Sequence, residues 1–361
     1  MFSYSRPLFS DGDSMIVARR NKIFSVHGGA EEHILTLPVG FLANIFLWSR
    51  LISRVFRLGV YRATSFGDSY FFCINRKLYS FNKKTNHLKE EFGFAKGHGP
   101  LSFCDGKGLH QFDDTLYFGE YFSDDKLDRI RILKRSLLGE WVTCFTFEEG
   151  TINHIHSLIP DKVNNCIWIL TGDFGTAAAI YRAADNFRQV ELIIQGRQKY
   201  RACVAFPYEG GLIYATDTQF EKNSIRRLYK GPAGWLSEKL YEVNGPVVYG
   251  CELRDYYMFS TTVEPGDSKS SFLATLLDRE KGPGIILNQV EIVALKKSNH
   301  ALLEVLVDIK DLWPSRLCQF GSAIFVGNSI ENNNVHAYFT ATQIYEGRSK
   351  LIDLDSRQTT D

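Results

Sequence analysis

Short apolar or alternating runs, each about four to eight residues long and closed by turn residues, fill most of this chain and read as β-strands. The clearest pair lies between Thr151 and Asp173. Thr-Ile-Asn-His-Ile-His-Ser-Leu-Ile is followed by the turn Pro160-Asp161-Lys162-Val163-Asn164-Asn165, then by Cys-Ile-Trp-Ile-Leu-Thr-Gly-Asp. This layout sets His154 and His156 in one strand and Asp173 just past the next. Looser copies recur from the N-terminal strands at 6–37 to Lys350-Leu351-Ile352-Asp353-Leu354. Among them, Phe272-Leu273-Ala274-Thr275-Leu276 and Arg316-Leu317-Cys318-Gln319-Phe320 are expected to be strands. Residues 42–58 break the rhythm. They hold no Gly or Pro and predict one amphipathic helix. At ~100° per residue, Arg50, Arg54 and Arg57 form a narrow stripe on an otherwise apolar surface.

Equivalent points repeat at blade-like intervals: residues 154, 201 and 249 carry His, Arg and Tyr, 47 and 48 residues apart. About four short antiparallel strands per repeat of this length predict an all-β fold, a β-propeller of four-stranded blades. Seven units are counted, and six remain open if the N-terminal strands complete the last blade. No linker divides residues 1–361, so a single domain is expected, with the helix at 42–58 inserted and 355–361 as a frayed tail.

Composition narrows the partners. Lys+Arg 42 against Asp+Glu 41 leaves a net charge of +1, without the basic excess of a nucleic-acid binder. The seven cysteines form no Cys-x-x-Cys pair and read as free thiols of a reducing compartment. With neither an apolar signal core nor an apolar run of ~18 residues, the expected location is cytoplasmic. The arginine stripe has two readings. Either the helix packs on the body with its arginines in water or paired to acids, or Arg50, Arg54 and Arg57 touch the anionic inner face of a membrane.

In a propeller blade, residues entering the first strand and leaving the second share one rim of the central channel. The repeat therefore gathers Asn153, His154, Gln198, Arg201 and Asn244 with Glu120, Asp173, Asp217 and Glu264. His154, His156, Asp173, Asp217 and Glu264 are the candidate catalytic groups. Glu120, Tyr121, Gln198, Arg201, Asn223 and Tyr249 are the candidate substrate-binding groups, with arginine suited to carboxylate or phosphate and the aromatics suited to sugar rings. Strand-end carboxylates also cap turns, so each has a purely structural alternative. No cofactor is required by this set. His154 and His156, two apart on one strand, offer half of a divalent-metal site, with no third ligand fixed by spacing.

The turn segments Lys134-Arg135-Ser136-Leu137-Leu138-Gly139-Glu140-Trp141 and Tyr181-Arg182-Ala183-Ala184-Asp185-Asn186-Phe187 resemble the Asp box of sialidase-like BNR-repeat propellers, which lies between a blade's third and fourth strands. His-x-His, Thr-Gly-Asp, Gly-x-Gln-x-x-Arg and Thr-Asp-Thr together are similar to propellers associated with bacterial surface polysaccharides, over most of 59–330. The resemblance implies a glycan ligand. Two activities follow. A glycoside hydrolase would use two rim carboxylates. A polysaccharide lyase would use His154 or His156 as base, with Arg201 against the sugar carboxylate. A non-catalytic glycan- or protein-binding propeller is the alternative.

Overall fold

Each strand pairs antiparallel with its neighbour in sequence, giving seven separate sheets in the computed structural model, which describes residues 5–122, 128–136, 138–326 and 330–356. Six sheets have four strands. The last shows three: Ser322–Val326, Asn334–Thr340 and Ser349–Asp353. The fold is a seven-bladed β-propeller. The N-terminal strands do not complete the last blade, because Arg6–Asp11, Ser14–Arg19, Lys22–His27 and Ala30–Thr36 form a sheet of their own. The chain forms two compact units. One comprises residues 1–60, 218–223 and 243–361, and the other residues 61–217 and 224–242.

The second unit holds blades two to five. Its sheets pack through apolar faces, as the strand pattern requires. Tyr117, Ile130, Ile132 and Phe147 of the third blade meet Ile155, Ile167, Ile169 and Tyr181 of the fourth. Trp168, Leu170 and Ile180 meet Leu212, Tyr214 and Leu228 of the fifth. At Gly119 the backbone passes so close to Ile155 that a Cβ would lie 2.5 Å from its Cγ2, so this seam admits only glycine. The expected turn after the first strand of the fourth blade is built by Asp161. Its carboxylate accepts from Asn164 N (2.9 Å), Asn164 Nδ2 (2.8 Å) and the Trp168 indole (2.8 Å), so this fully buried acid is satisfied.

The first unit corrects three local expectations. The helix expected over 42–58 is two short helices, α1 (Phe41–Phe46) and α2 (Arg50–Val55), with Ser49 capping α2 by accepting from Ile52 N at 3.3 Å. Phe272–Leu276 is not a strand but part of helix α3 (Phe272–Leu277), capped by Ser271. The sixth blade is completed instead by Gln289–Lys296 and Leu302–Ile309. Arg316–Phe320 is likewise no strand. Pro314 starts the short helix α4 (Ser315–Cys318), its carbonyl accepting from Cys318 N at 2.8 Å. In both places a run with strand-like hydrophobicity follows a helix-starting residue, and local capping prevailed. Among the described residues no helix is long and apolar enough to cross a membrane. All seven cysteines are unpaired. Of the expected tail, residues 357–361 lie outside the described residues.

Candidate functional site

In the fourth blade the strands His154–Asp161 and Cys166–Gly172 pair His154 with Gly172, and the register slips between Ile155 and Ser157. His156 is therefore the extra residue of a β-bulge. The bulge turns its ring toward that of His154, with centroids 4.8 Å apart. Gly172 makes the room: a Cβ there would lie 2.3 Å from His156 Cε1 and 2.6 Å from its Nε2. The sequence Thr-Gly-Asp thus has a steric reason for its glycine and a geometric one for its aspartate. Just past the pair, Asp173 is held by its backbone, its N–H donating to Asn153 Oδ1 (3.3 Å) and its carbonyl accepting from Gln198 Nε2 (2.7 Å).

Three electron-rich atoms converge here. His154 Nε2 and His156 Nε2 are 2.9 Å apart, and each is 3.4 Å from Asp173 Oδ1. The other ring nitrogens settle the tautomers. His154 Nδ1 faces the Phe122 carbonyl at 3.2 Å and His156 Nδ1 faces the Ala202 carbonyl at 2.9 Å. A carbonyl only accepts, so each Nδ1 carries the proton, and in the neutral rings both Nε2 atoms present lone pairs. Both rings are almost fully buried, at 3% and 2% exposure, and burial pushes the His154 pKa below its usual value against the pull of Asp173. When both rings are neutral, two lone pairs and a carboxylate oxygen face one another across this triangle, and a proton or a cation placed there is shared by all three atoms.

That donor set fits a divalent cation. Bonds of about 2.0–2.2 Å place adjacent ligand atoms ~3.0 Å apart in an octahedron and ~3.4 Å apart in a tetrahedron, the range this triangle spans. Imidazoles that donate their other N–H to backbone carbonyls are the usual outer support of metal-bound histidines. His156 also belongs to a second possible ligand group with Cys203 and Asp217.

Arg201 ties the cluster to the fifth blade. Its Nη2 lies 3.1 Å from Asp173 Oδ1 and its Nε 3.5 Å from Asp217 Oδ2, while its guanidinium lies 5.7 Å from the Phe174 ring. Burial alone would raise the Asp173 pKa. Its contacts with the two imidazoles and the Arg201 charge outweigh burial and hold the carboxyl far below the usual carboxylate range. Asp217 is buried. Cys203 Sγ donates to its Oδ2 at 3.2 Å, while its Oδ1 accepts no hydrogen bond among the described residues. Tyr121 closes the other side, its ring 4.5 Å from that of His154, and burial drives its hydroxyl pKa well above the usual value. Tyr121 also lines a cavity of about 300 Å³ with Phe94, Pro100, Phe118, Phe122 and Arg131.

The structure thus brings together His154, His156, Asp173, Asp217, Gln198, Arg201 and Tyr121. Glu120 is adjacent in sequence, but its carboxylate is taken by the backbone N–H and side chain of Arg131. The other three candidates belong to the first unit. Asn223 is fully buried and pins its own loop, accepting from Thr218 N (3.0 Å) and donating to Thr218 O (2.7 Å). Glu264 accepts from Thr262 Oγ1 at 3.1 Å. Tyr249 sits past a bulge in Val247–Glu252, and the register makes Pro246, not Tyr249, the counterpart of Arg201, since Asp217 N donates to Arg201 O as Thr262 N does to Pro246 O. Cys203 is missed by the sequence reading. The signal was present, since the fifth blade carries the same bulge and Cys203 is the counterpart of His156.

No family model matches the sequence, and no curated protein matches it. Solved structures do resemble it. The AfRom2 CNH domain has a TM-score of 0.55 at 10% identity, covering 98% of this chain and 94% of that one. An oligogalacturonate lyase from Vibrio parahaemolyticus has a TM-score of 0.53 at 11% identity, covering 97% and 88%. The tricorn protease, at a TM-score of 0.51 and 10% identity, covers 98% of this chain but only 35% of its own. At such identities the likeness shows the propeller fold alone. The sialidase-like Asp box gains no family match.

Proposed function

We propose that this chain is a carbohydrate-active propeller that holds a divalent cation at His154 Nε2, His156 Nε2 and Asp173 Oδ1 and acts on an acidic glycan by elimination. The observation that carries this reading is the triangle of His154 Nε2, His156 Nε2 and Asp173 Oδ1, all within 3.4 Å of one another, with each ring's Nδ1 facing a backbone carbonyl. When bound, the cation supplies positive charge beside Arg201. Arg201, with the cation's charge beside it, would neutralise a sugar carboxylate and so acidify the adjacent C–H; elimination would pass that proton to solvent water, form the ring C=C bond and break the glycosidic C–O bond, the leaving oxygen taking up a proton from solvent. Gln198 and Asn153 orient Asp173, and the bulge and Gly172 orient His156. Tyr121, kept protonated by burial, lines the aromatic cavity, where a sugar ring can stack.

Hydrolysis has less support. It needs a pair of carboxyl groups of which one stays protonated to act as acid. Asp173 is held ionised, Asp173 and Asp217 are both bound to Arg201, and Glu120 and Glu264 are engaged elsewhere. The neighbouring oligogalacturonate lyase agrees with elimination only as an example of what this fold can host. The test is to incubate the manganese- or zinc-loaded protein with polyuronates and neutral polysaccharides, following ultraviolet absorbance of new double bonds and reducing ends in parallel. Absorbance that rises with polyuronates and vanishes in Arg201→Gln supports elimination. Reducing ends without absorbance would replace it with hydrolysis. Binding without either product would make the site a recognition element rather than a catalytic one.

A further inference from the structure

In the first unit, α1 to α4 form one connected layer. The Phe46 ring of α1 stacks on that of Phe56, just past α2, with centroids 5.3 Å apart, and α4 packs against both α2 and α3. Neither α1, Phe-Leu-Ala-Asn-Ile-Phe, nor α3, Phe-Leu-Ala-Thr-Leu-Leu, contains a charged residue, and neither buries a residue. Their large side chains stand in solvent instead. Phe41 is 80% exposed and Phe272 79%, and Leu42, Leu273 and Leu277 are exposed with them. Leu312 and Trp313, which lead into α4, are 75% and 49% exposed. Of the five tryptophans in the chain, Trp48 and Trp313 are the exposed ones, and both lie in this layer. Single exposed apolar residues are ordinary, but a group of them gathered on connected helices marks an interaction surface.

Charge separates the occupants of such a surface. Segments 40–58, 266–281 and 310–320 hold eight Lys and Arg against four Asp and Glu, whereas the whole chain is nearly balanced. Most of the acids are already engaged. Asp311 is held by Arg54 and Lys310, Asp278 and Glu280 by Lys269, and Glu346 takes up Arg50. Arg57 and Arg279 are exposed and make no ion pair among the described residues. The same holds for Arg20, whose guanidinium lies 3.3 Å from the Trp48 ring centroid. Each of the three arginines sits beside exposed apolar residues: Arg20 on Trp48, Arg57 next to Phe56, and Arg279 two residues past Leu277. One exposed acid without an ion pair, Asp267, stands against them.

We propose that this layer docks on a bilayer surface bearing anionic lipid, with Phe41, Trp48, Phe272 and Trp313 entering the interface and Arg20, Arg57 and Arg279 meeting lipid phosphates. Two observations favour a bilayer over a protein partner. Phe41, Phe272 and Leu312 project from three separate segments at 75–80% exposure. Lipid accommodates such knobs in any arrangement, where a protein would need a matching pocket for each. Tryptophan beside uncompensated arginine is also the composition of a membrane–water interface, where both side chains sit at headgroup level. The surface belongs to the first unit and does not depend on the glycan reading.

The test is sedimentation of the full chain with phosphatidylcholine vesicles that do or do not contain phosphatidylglycerol. The chain is expected to sediment with the mixed vesicles, little with phosphatidylcholine alone, and less as salt rises. The double variant Phe41→Asp, Phe272→Asp should bind the mixed vesicles about tenfold or more weakly, since it removes two apolar anchors. Arg57→Gln and Arg279→Gln should each weaken binding about fivefold. All four positions are exposed, so the substitutions leave the core untouched. Failure to sediment with either vesicle, equal sedimentation with both, or sedimentation unchanged in the double variant overturns the proposal. A lipid-free dimer that the double variant dissociates would assign the layer to a second copy of this chain and overturn it as well.

Discussion

Two buried polar clusters, one in each compact unit, show how the same residue type serves opposite ends. Around Arg201 the acceptors are in excess. Two imidazole lone pairs and Asp173 converge, and a single guanidinium is shared by two carboxylates. Around Arg54 the donors are in excess, with five guanidiniums facing a cavity and their carboxylates turned behind them. The first arrangement is the one our proposed cation would complete; in the second, a buried N–H of Arg54 is left without an acceptor among the described residues. The difference lies in which side of the arginine the acid occupies.

The sharpest way to break the first half of this comparison is steric. Gly172→Ala puts a methyl group into the His156 ring. It is expected to weaken manganese or zinc binding by about 100-fold, the upper range for disturbed ligand support. The second half breaks at Arg54. Arg54→Gln should cost about 3 kcal/mol of stability in chemical denaturation, because it strips a partner from a largely buried ion pair, and should leave metal binding intact. The smallest expected effect is at Glu120. Glu120→Gln removes a partly exposed pair with Arg131, worth about 1 kcal/mol or less. It should leave metal affinity at the wild-type value, since this carboxylate does not join the triangle.

The blades were legible because short apolar or alternating runs are closed by turn residues, and because comparable points recur at similar intervals, 47 residues from His156 to Cys203 and 45 from Arg201 to Pro246. Placing His154, Asp173, Arg201 and Asp217 together followed from the same rule. The completed triangle was not legible. His154 and His156 look like a regular same-side pair about 7 Å apart, and only the bulge at His156 together with the space above Gly172 brings their nitrogens into contact. Tyr249 and Glu264 were misplaced against the blade register because the step from the fifth blade to the sixth, Arg201 to Pro246, is 45 residues rather than 47 or 48. The arginine cavity was hidden for another reason. Its members come from residues 6 to 54 and face acids near the C-terminus. On α1 and α2 the expected burial is inverted, with Arg54 inside and Phe41 and Trp48 outside. Tertiary ion pairing decided which face was buried, and no helical periodicity reports that. The outward arginine stripe therefore reduces to Arg57, since Arg50 and Arg54 are committed to Glu346 and Asp311.

The central claim is that the three lone-pair atoms are a cation site, and metal stoichiometry tests it most directly. The purified chain is dialysed against zinc or manganese, freed of excess, and measured by elemental analysis beside His156→Ala and Asp173→Asn. The account predicts about one tightly held divalent ion per chain, the complement expected of one such ligand set, lost in His156→Ala and weakened in Asp173→Asn. A chain that retains no metal, or one whose metal survives His156→Ala undiminished, would contradict it.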